Sequence, residues 1–252
     1  MGFVAAIVAA APMRAEPSHK SEMVSQMLFS EYGRVDEVQG DFTLVTSHFD
    51  NYKGWVQSSQ LSAVPESMLS LPLKGYSFQP GVNVNFNGHP MPISMGTPIY
   101  NQNVTTIGEF SVGWQVDAKT FEFTPNNVLE LSRKYLNVGY LWGGRSSFGI
   151  DCSGFVQQVY KMMGIKLSRD AYQQATDGEN IGFLQEVVCG DLAFFDNQEG
   201  KITHVGILLN EKDIIHASGR VRIDNIDAQG IVNVETGKRT HRLRLIKRLV
   251  ML

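Results

Sequence analysis

Residues 140–154 read Tyr-Leu-Trp-Gly-Gly-Arg-Ser-Ser-Phe-Gly-Ile-Asp-Cys-Ser-Gly, and no other stretch restricts the fold of this chain as strongly. Glycine and serine turn chemistry gives way at Asp151 to helical periodicity. Phe155, Val156, Val159, Tyr160 and Met163 share one helix face. Asp151 is a candidate N-cap and Gly164 a candidate C-cap. A helix capped at Asp151 and ended at Gly164 is therefore expected, periodic across residues 155–163, with Cys152 in its first turn. There the helix dipole and unpaired N–H groups favour thiolate over thiol. A buried core cysteine is the alternative, and the small, polar flanks argue against it.

A nucleophile needs a base, and the base needs an orienter. The chain has six histidines. His204 opens the run His-Val-Gly-Ile-Leu-Leu, and His216 lies in Asp-Ile-Ile-His-Ala-Ser-Gly. The two runs read as neighbouring antiparallel strands joined through residues 210–212. In that arrangement His204 takes the thiol proton and His216 fixes its tautomer. His19, His48 and His89 lie in the N-terminal half and His241 near the end, with no role assigned by pattern.

Taken together, Tyr140, Trp142-Gly143-Gly144, Gly149, Asp151-Cys152-Ser153-Gly154, Gly190-Asp191-Leu192, His204-Val205-Gly206-Ile207 and His216-Ala217 resemble the NlpC/P60 family of cell-wall peptidases. Their order and spacing agree over about residues 121–252. The resemblance implies a papain-like α+β catalytic domain with Cys152, His204 and His216 as its triad. It also implies cleavage of peptidoglycan stem peptides between D-glutamate and the following diamino acid, without a cofactor. An amidase or acyltransferase of the same fold, or a cell-wall binding protein, stands as the alternative.

Composition agrees with an ordinary globular protein: 252 residues, 43% hydrophobic and 19% charged. The net charge of −3 gives no electrostatic case for nucleic acid. Neither HExxH nor a CxxC pair is present, so no metal is expected. Pairing the two cysteines would quench the nucleophile, and Cys189 reads as a small packed hydrophobe. The thiols leave the compartment open, cytoplasmic or periplasmic. The apolar run 3–11 is too short to span a bilayer and lacks a basic flank. It reads as a first strand near residues 4–8. A signal or lipoprotein segment upstream is compatible with that reading.

Three parts are expected. Residues 1–62 carry short strands separated by Gly33, Gly40 and Asp50-Asn51, the style of a small β-barrel. Met13-Arg14-Ala15-Glu16-Pro17-Ser18, followed by Glu31-Tyr32-Gly33 and Tyr52-Lys53-Gly54-Trp55-Val56, resembles a bacterial SH3 domain. Residues 63–120 repeat the short-strand style, and Pro80, Pro90, Pro92 and Pro98 argue against helix. They are expected to form a second, diverged SH3-like barrel. Thr124-Pro125 signals a helix start and opens the catalytic part, residues 121–252.

One branch of the family carries two such barrels and acts on small wall fragments, with the first barrel meeting the free amine of an N-terminal L-alanine. By that resemblance Glu16, Tyr52 and Asp170 form the amine subsite. Tyr140 and Trp142 wall the cleft, and Asp151 and Ser153 contact substrate. Gly143 and Gly144 allow close backbone approach. The branch places serine after the aspartate, whereas this chain has Ala171, which removes a donor to the D-glutamate carboxylate. Stem-peptide fragments are the expected partners, in a recycling role.

Overall fold

The computed structural model describes residues 2–100 and 106–249. Residues 101–105 of the expected middle part, and the extreme ends of the outer parts, lie outside the described residues. The first strands are β1 (Phe3–Ala6), β2 (Ala10–Arg14), β3 (Met23–Leu28), β4 (Tyr32–Gln39), β5 (Phe42–Ser47), β6 (Lys53–Gln57) and β7 (Leu61–Val64). They coil into one small barrel in the order β3-β2-β6-β5-β4-β1-β7. The sheet runs to Val64, past the expected boundary at 62.

Strand alternation gives this barrel two apolar faces. Val4 and Ala6 pack inward with Met13, Met27, Val45 and Val56. Ala5 and Ile7 point the other way, against Val84, Ile93, Ile99 and Val112 of the next module. That module contains β8 (Leu73–Ser77), β9 (Asn83–Phe86), β10 (His89–Pro92), β11 (Pro98–Tyr100), β12 (Thr106–Ile107), β13 (Phe110–Gly113) and β14 (Ala118–Lys119). They form a four-stranded and a three-stranded sheet. A shared core therefore fixes the second module to the outside of the barrel.

In the C-terminal half, Thr124 caps α1 (Pro125–Arg133) by accepting from the Asn127 N–H at 3.2 Å. A short hairpin of β15 (Arg145–Ser146) and β16 (Gly149–Ile150) leads into α2 (Cys152–Lys161). The helix begins at Cys152, where the candidate cap puts it: the Asp151 side chain accepts the Gly154 N–H at 2.7 Å. Gly164 follows it with φ +77°, a left-handed stop. Then come α3 (Ala171–Gln174), β17 (Glu179–Ile181), β18 (Leu192–Asp196), β19 (Ile202–Leu208), β20 (Asp213–Ser218), β21 (Arg220–Asp227), β22 (Gly230–Val232) and β23 (Arg239–Arg248). These strands make one antiparallel sheet, ordered β17-β23-β18-β19-β20-β21-β22. Every residue of α2 is buried, because it packs on this sheet, against α1, α3 and β15, and towards the barrel side.

That covering is partly ionic. Arg145 and Lys161 come from the catalytic half, and both pair with Glu31 of the barrel, at 3.1 Å and 2.5 Å. All three side chains are at most 3% exposed. Burial alone would raise the Glu31 carboxyl, but Arg145 and Lys161 hold it down at about 2. Among the described residues no helix is long and apolar enough to cross a membrane.

Candidate active site

Cys152 opens α2 at the floor of a cleft of about 620 Å³, lined also by Glu22, Tyr52, Tyr140, Trp142, Ser153, Asp170, Ala171 and Lys201. The volume suits a short peptide. The backbone N–H groups of Val205 and Ser153 face the thiol. Even so, burial and then the Asp151 carboxylate push Cys152 up to about 12. This corrects the expectation of a standing thiolate: the helix terminus favours the anion less than dry surroundings disfavour it. The resting cysteine keeps its proton, and deprotonation has to accompany attack.

The two strand histidines meet as the hairpin reading requires. Gly206 of β19 stands opposite His216 of β20. Side chains two apart on one strand share a face, so His204 and His216 are diagonal neighbours. His204 Nε2 lies 2.9 Å from His216 Nδ1. A Cβ on Gly206 would sit 2.9 Å from that of His216, so the missing side chain gives the imidazoles room. Burial, then the nearby His241 and His216, hold His204 well below the ordinary imidazole range. It is a neutral base at physiological pH.

Two groups near this pair were not assigned from sequence. His241 on β23 stacks on His204, with centroids 4.0 Å apart and planes at 22°. Its position follows from the long-range pairing of β18 with β23, for which no local signal exists. Asp224 on β21 approaches the far side of His216, its Oδ2 3.0 Å from Nε2. Ring nitrogens of His204, His216 and His241 gather within 4.8 Å of one another. A metal there would have to break the His204–His216 bond, so the arrangement is that of a hydrogen-bonded cluster.

The substrate-side residues divide. Tyr52 follows the left-handed Asn51 (φ 59°) at the β5–β6 turn and reaches Asp170, with its hydroxyl 3.4 Å from Oδ1. These two come together from different modules. Glu16 does not join them: it is exposed and does not line the cleft. Glu22 lines the cleft instead, and its Oε1 accepts from Trp142 Nε1 at 2.6 Å. Both acids sit on the loop joining β2 to β3, where Ala15 N–H bonds Glu22 C=O at 3.0 Å. Hairpin register decides which one faces the cleft, and register is not readable from composition.

Asp151 has a structural part as well. It lines the floor, but its carboxylate is engaged within the protein. Gly143 N–H donates at 2.9 Å, Gly154 N–H at 2.7 Å and Arg169 to both oxygens at 3.1 Å and 2.5 Å. It ties the Trp-Gly-Gly turn to the helix start while lining the cleft. Ser153 Oγ belongs to the same network, accepting from Arg169 at 2.9 Å and lying 3.3 Å from Asp151. Gly143 adopts φ +74°, and a Cβ there would lie 2.3 Å from the Met23 carbonyl of β3. Its glycine serves the contact with the barrel. Tyr140 and the 61% exposed Trp142 stand as walls. Cys189 is free, its Sγ 3.5 Å from the Pro125 carbonyl.

Comparison with known proteins agrees with this geometry. Residues 137–240 match the NlpC/P60 family, and residues 13–61 match the bacterial dipeptidyl-peptidase Sh3 domain. The chain is 30% identical over 213 residues to a gamma-D-glutamyl-L-lysine dipeptidyl-peptidase of Bacillus subtilis, covering 77% of this chain and 71% of that protein. A protein of the same name from Bacillus cereus is 31% identical over 121 residues, and the match spans 46% of this chain and 36% of that one. A crystal structure of an NlpC/P60 family protein from Bacillus cereus superposes with a TM-score of 0.81 at 18% identity, over 98% of this chain and 99% of that one. That likeness bears on the fold.

Proposed function

The chain belongs to the NlpC/P60 family, and on that premise we propose that it is a cysteine peptidase acting on peptidoglycan stem peptides with a free N-terminal L-alanine. It cuts the γ-D-glutamyl–diamino acid bond. Cys152 attacks the γ-carbonyl as its proton passes to His204. Backbone N–H groups at the start of α2 receive the oxyanion. His204 then gives the proton to the leaving amine and activates water against the thioester. We read residues 63–120 as a diverged second barrel that seats the first one over the cleft.

The observation that carries the substrate reading is the acidic, phenol-capped end of the cleft. Tyr52 and Glu22 of the barrel meet Asp170 and Trp142 of the catalytic half there. Burial raises the Asp170 carboxyl, and Arg169 only partly opposes this, being bonded to Asp151. An entering ammonium supplies the missing positive charge. The test compares L-Ala-γ-D-Glu-diamino acid peptide with its N-acetyl form and with intact sacculus, by mass spectrometry of digests. Acetylation is expected to cost ~2–5 kcal/mol, the scale of truncating one partner of a buried charge pair. Glu22→Ala is expected to weaken cleavage of the free peptide, whereas Glu16→Ala leaves it unchanged. Equal kcat/KM for the free and acetylated peptides rejects the clamp.

The electrostatics fix a pH dependence. The active form pairs a neutral imidazole with a protonated thiol. His204 is depressed, so the neutral base persists as pH falls through about 6.5, the ordinary imidazole value. The kcat/KM profile should stay flat there, with its acid limb well below. Its alkaline limb should follow the substrate α-amine near about 8. An acid limb centred on the ordinary imidazole value contradicts this account.

A further inference from the structure

The line of hydrogen bonds does not end at His216. Asp224 is 1% exposed and lies diagonally from His216 on the next strand, since His216 stands opposite Arg222. Its Oδ2 is 3.0 Å from His216 Nε2. Every other group facing this carboxylate is a donor. Arg222 Nη2 and the Val234 N–H approach Oδ1, each at 3.0 Å. Arg222 Nε lies 2.9 Å from Oδ2, and Glu235 holds the same guanidinium at 3.1 Å. Burial would raise the Asp224 carboxyl, but bonds from His216, Val234 and Arg222 lower it to about 2. It has no proton to give.

A carboxylate in that state only accepts. His216 Nε2 must therefore carry hydrogen. When His216 holds a single N–H, that hydrogen is on Nε2 and Nδ1 is a bare acceptor. The group 2.9 Å from it is His204 Nε2, which must then be the donor. His204 Nδ1 is left as the free base. We propose that Asp224 is a positioning residue that sets the reactive tautomer of His204 through His216. The catalytic line is then Cys152, His204, His216, Asp224. This rests on the reading of His204 as the base. No proton moves to Asp224; the carboxylate fixes which nitrogens carry hydrogen and favours the imidazolium that forms on His204.

The wild-type protein tests the tautomer directly, through long-range nitrogen–proton couplings of its histidines by NMR. His204→Gln and His216→Gln assign the signals. The expected result is hydrogen on Nε2 of both rings. Hydrogen on His216 Nδ1, alone or with Nε2, overturns the proposal whatever any variant does. Asp224→Asn supplies the second arm. Val234 and Arg222 donate to Oδ1, so the amide oxygen settles there and the NH₂ faces His216 Nε2. His216 must then carry hydrogen on Nδ1, and His204 presents Nδ1–H to the thiol. We expect kcat to fall about 10²–10⁴-fold, on the scale of disabling the orienting acid of a triad, with KM little changed and both tautomers reversed. A merely structural role would lower the melting temperature but leave wild-type tautomers and kcat in the folded protein, which also overturns the proposal. The catalytic reading fails separately, through an active Cys152→Ala, which leaves the tautomer measurement untouched.

Discussion

Cys152→Ala loses at least ~10³-fold in kcat on free stem peptide, the scale of removing a triad member. The Cys152 side chain is 6% exposed and stands at the cleft floor. Alanine fits the same first turn of α2, whose cap comes from Asp151 and not from the thiol. Melting temperature and circular dichroism should therefore stay close to wild type, so the loss is chemical. Cys152→Ser belongs with it: the raised proton affinity of the site leaves a hydroxyl still harder to ionise. Cys189→Ala, at a half-buried thiol outside the cleft, keeps most activity. Near-normal turnover in either Cys152 variant removes the nucleophile assignment, and an inactive Cys189→Ala exchanges the two roles.

What was legible in the sequence was local. The helix after Asp151 shows in its own periodicity and cap, and the His204–His216 diagonal follows from two short alternating runs joined by a turn. Glu16 was misplaced because two acids flank one hairpin loop, and only the register at Arg14 and Met23 decides which faces the cleft. His241 and Asp224 were invisible for a related reason. One reaches the base through a strand paired across the sheet, and the other through a diagonal between β20 and β21. Neither contact leaves a periodic trace. The thiolate expectation failed differently. A helix N-terminus is a sequence feature, but the burial that outweighs it belongs to the assembled cleft.

The same limit hid the join between barrel and catalytic half, and there the second large effect is expected. Glu31 meets Arg145 and Lys161 in a buried interface, and its Oε2 also accepts the Leu28 N–H at 2.9 Å. Glu31→Ala leaves the Arg145 guanidinium without its carboxylate and pushes Lys161, already lowered by burial to about 8, further toward the neutral amine. Breaking a buried pair from one side costs about 3–5 kcal/mol, and urea unfolding should show a loss of that order. Pairing Glu31→Ala with Lys161→Met should recover part of it, because the buried amine left without its acceptor is gone. Acid acts on wild type in the same direction. Glu31 titrates near 2 when folded against an ordinary 4.5, so its contribution is full above the ordinary value and fades as pH falls toward the folded one. Since Tyr52 and Glu22 reach the cleft only while the barrel is seated, a loosened join should raise KM for free peptide more than it slows alkylation of Cys152. A loss of no more than ~1 kcal/mol, typical of an exposed pair, would mean that the apolar core shared by the modules holds the barrel in place without Glu31.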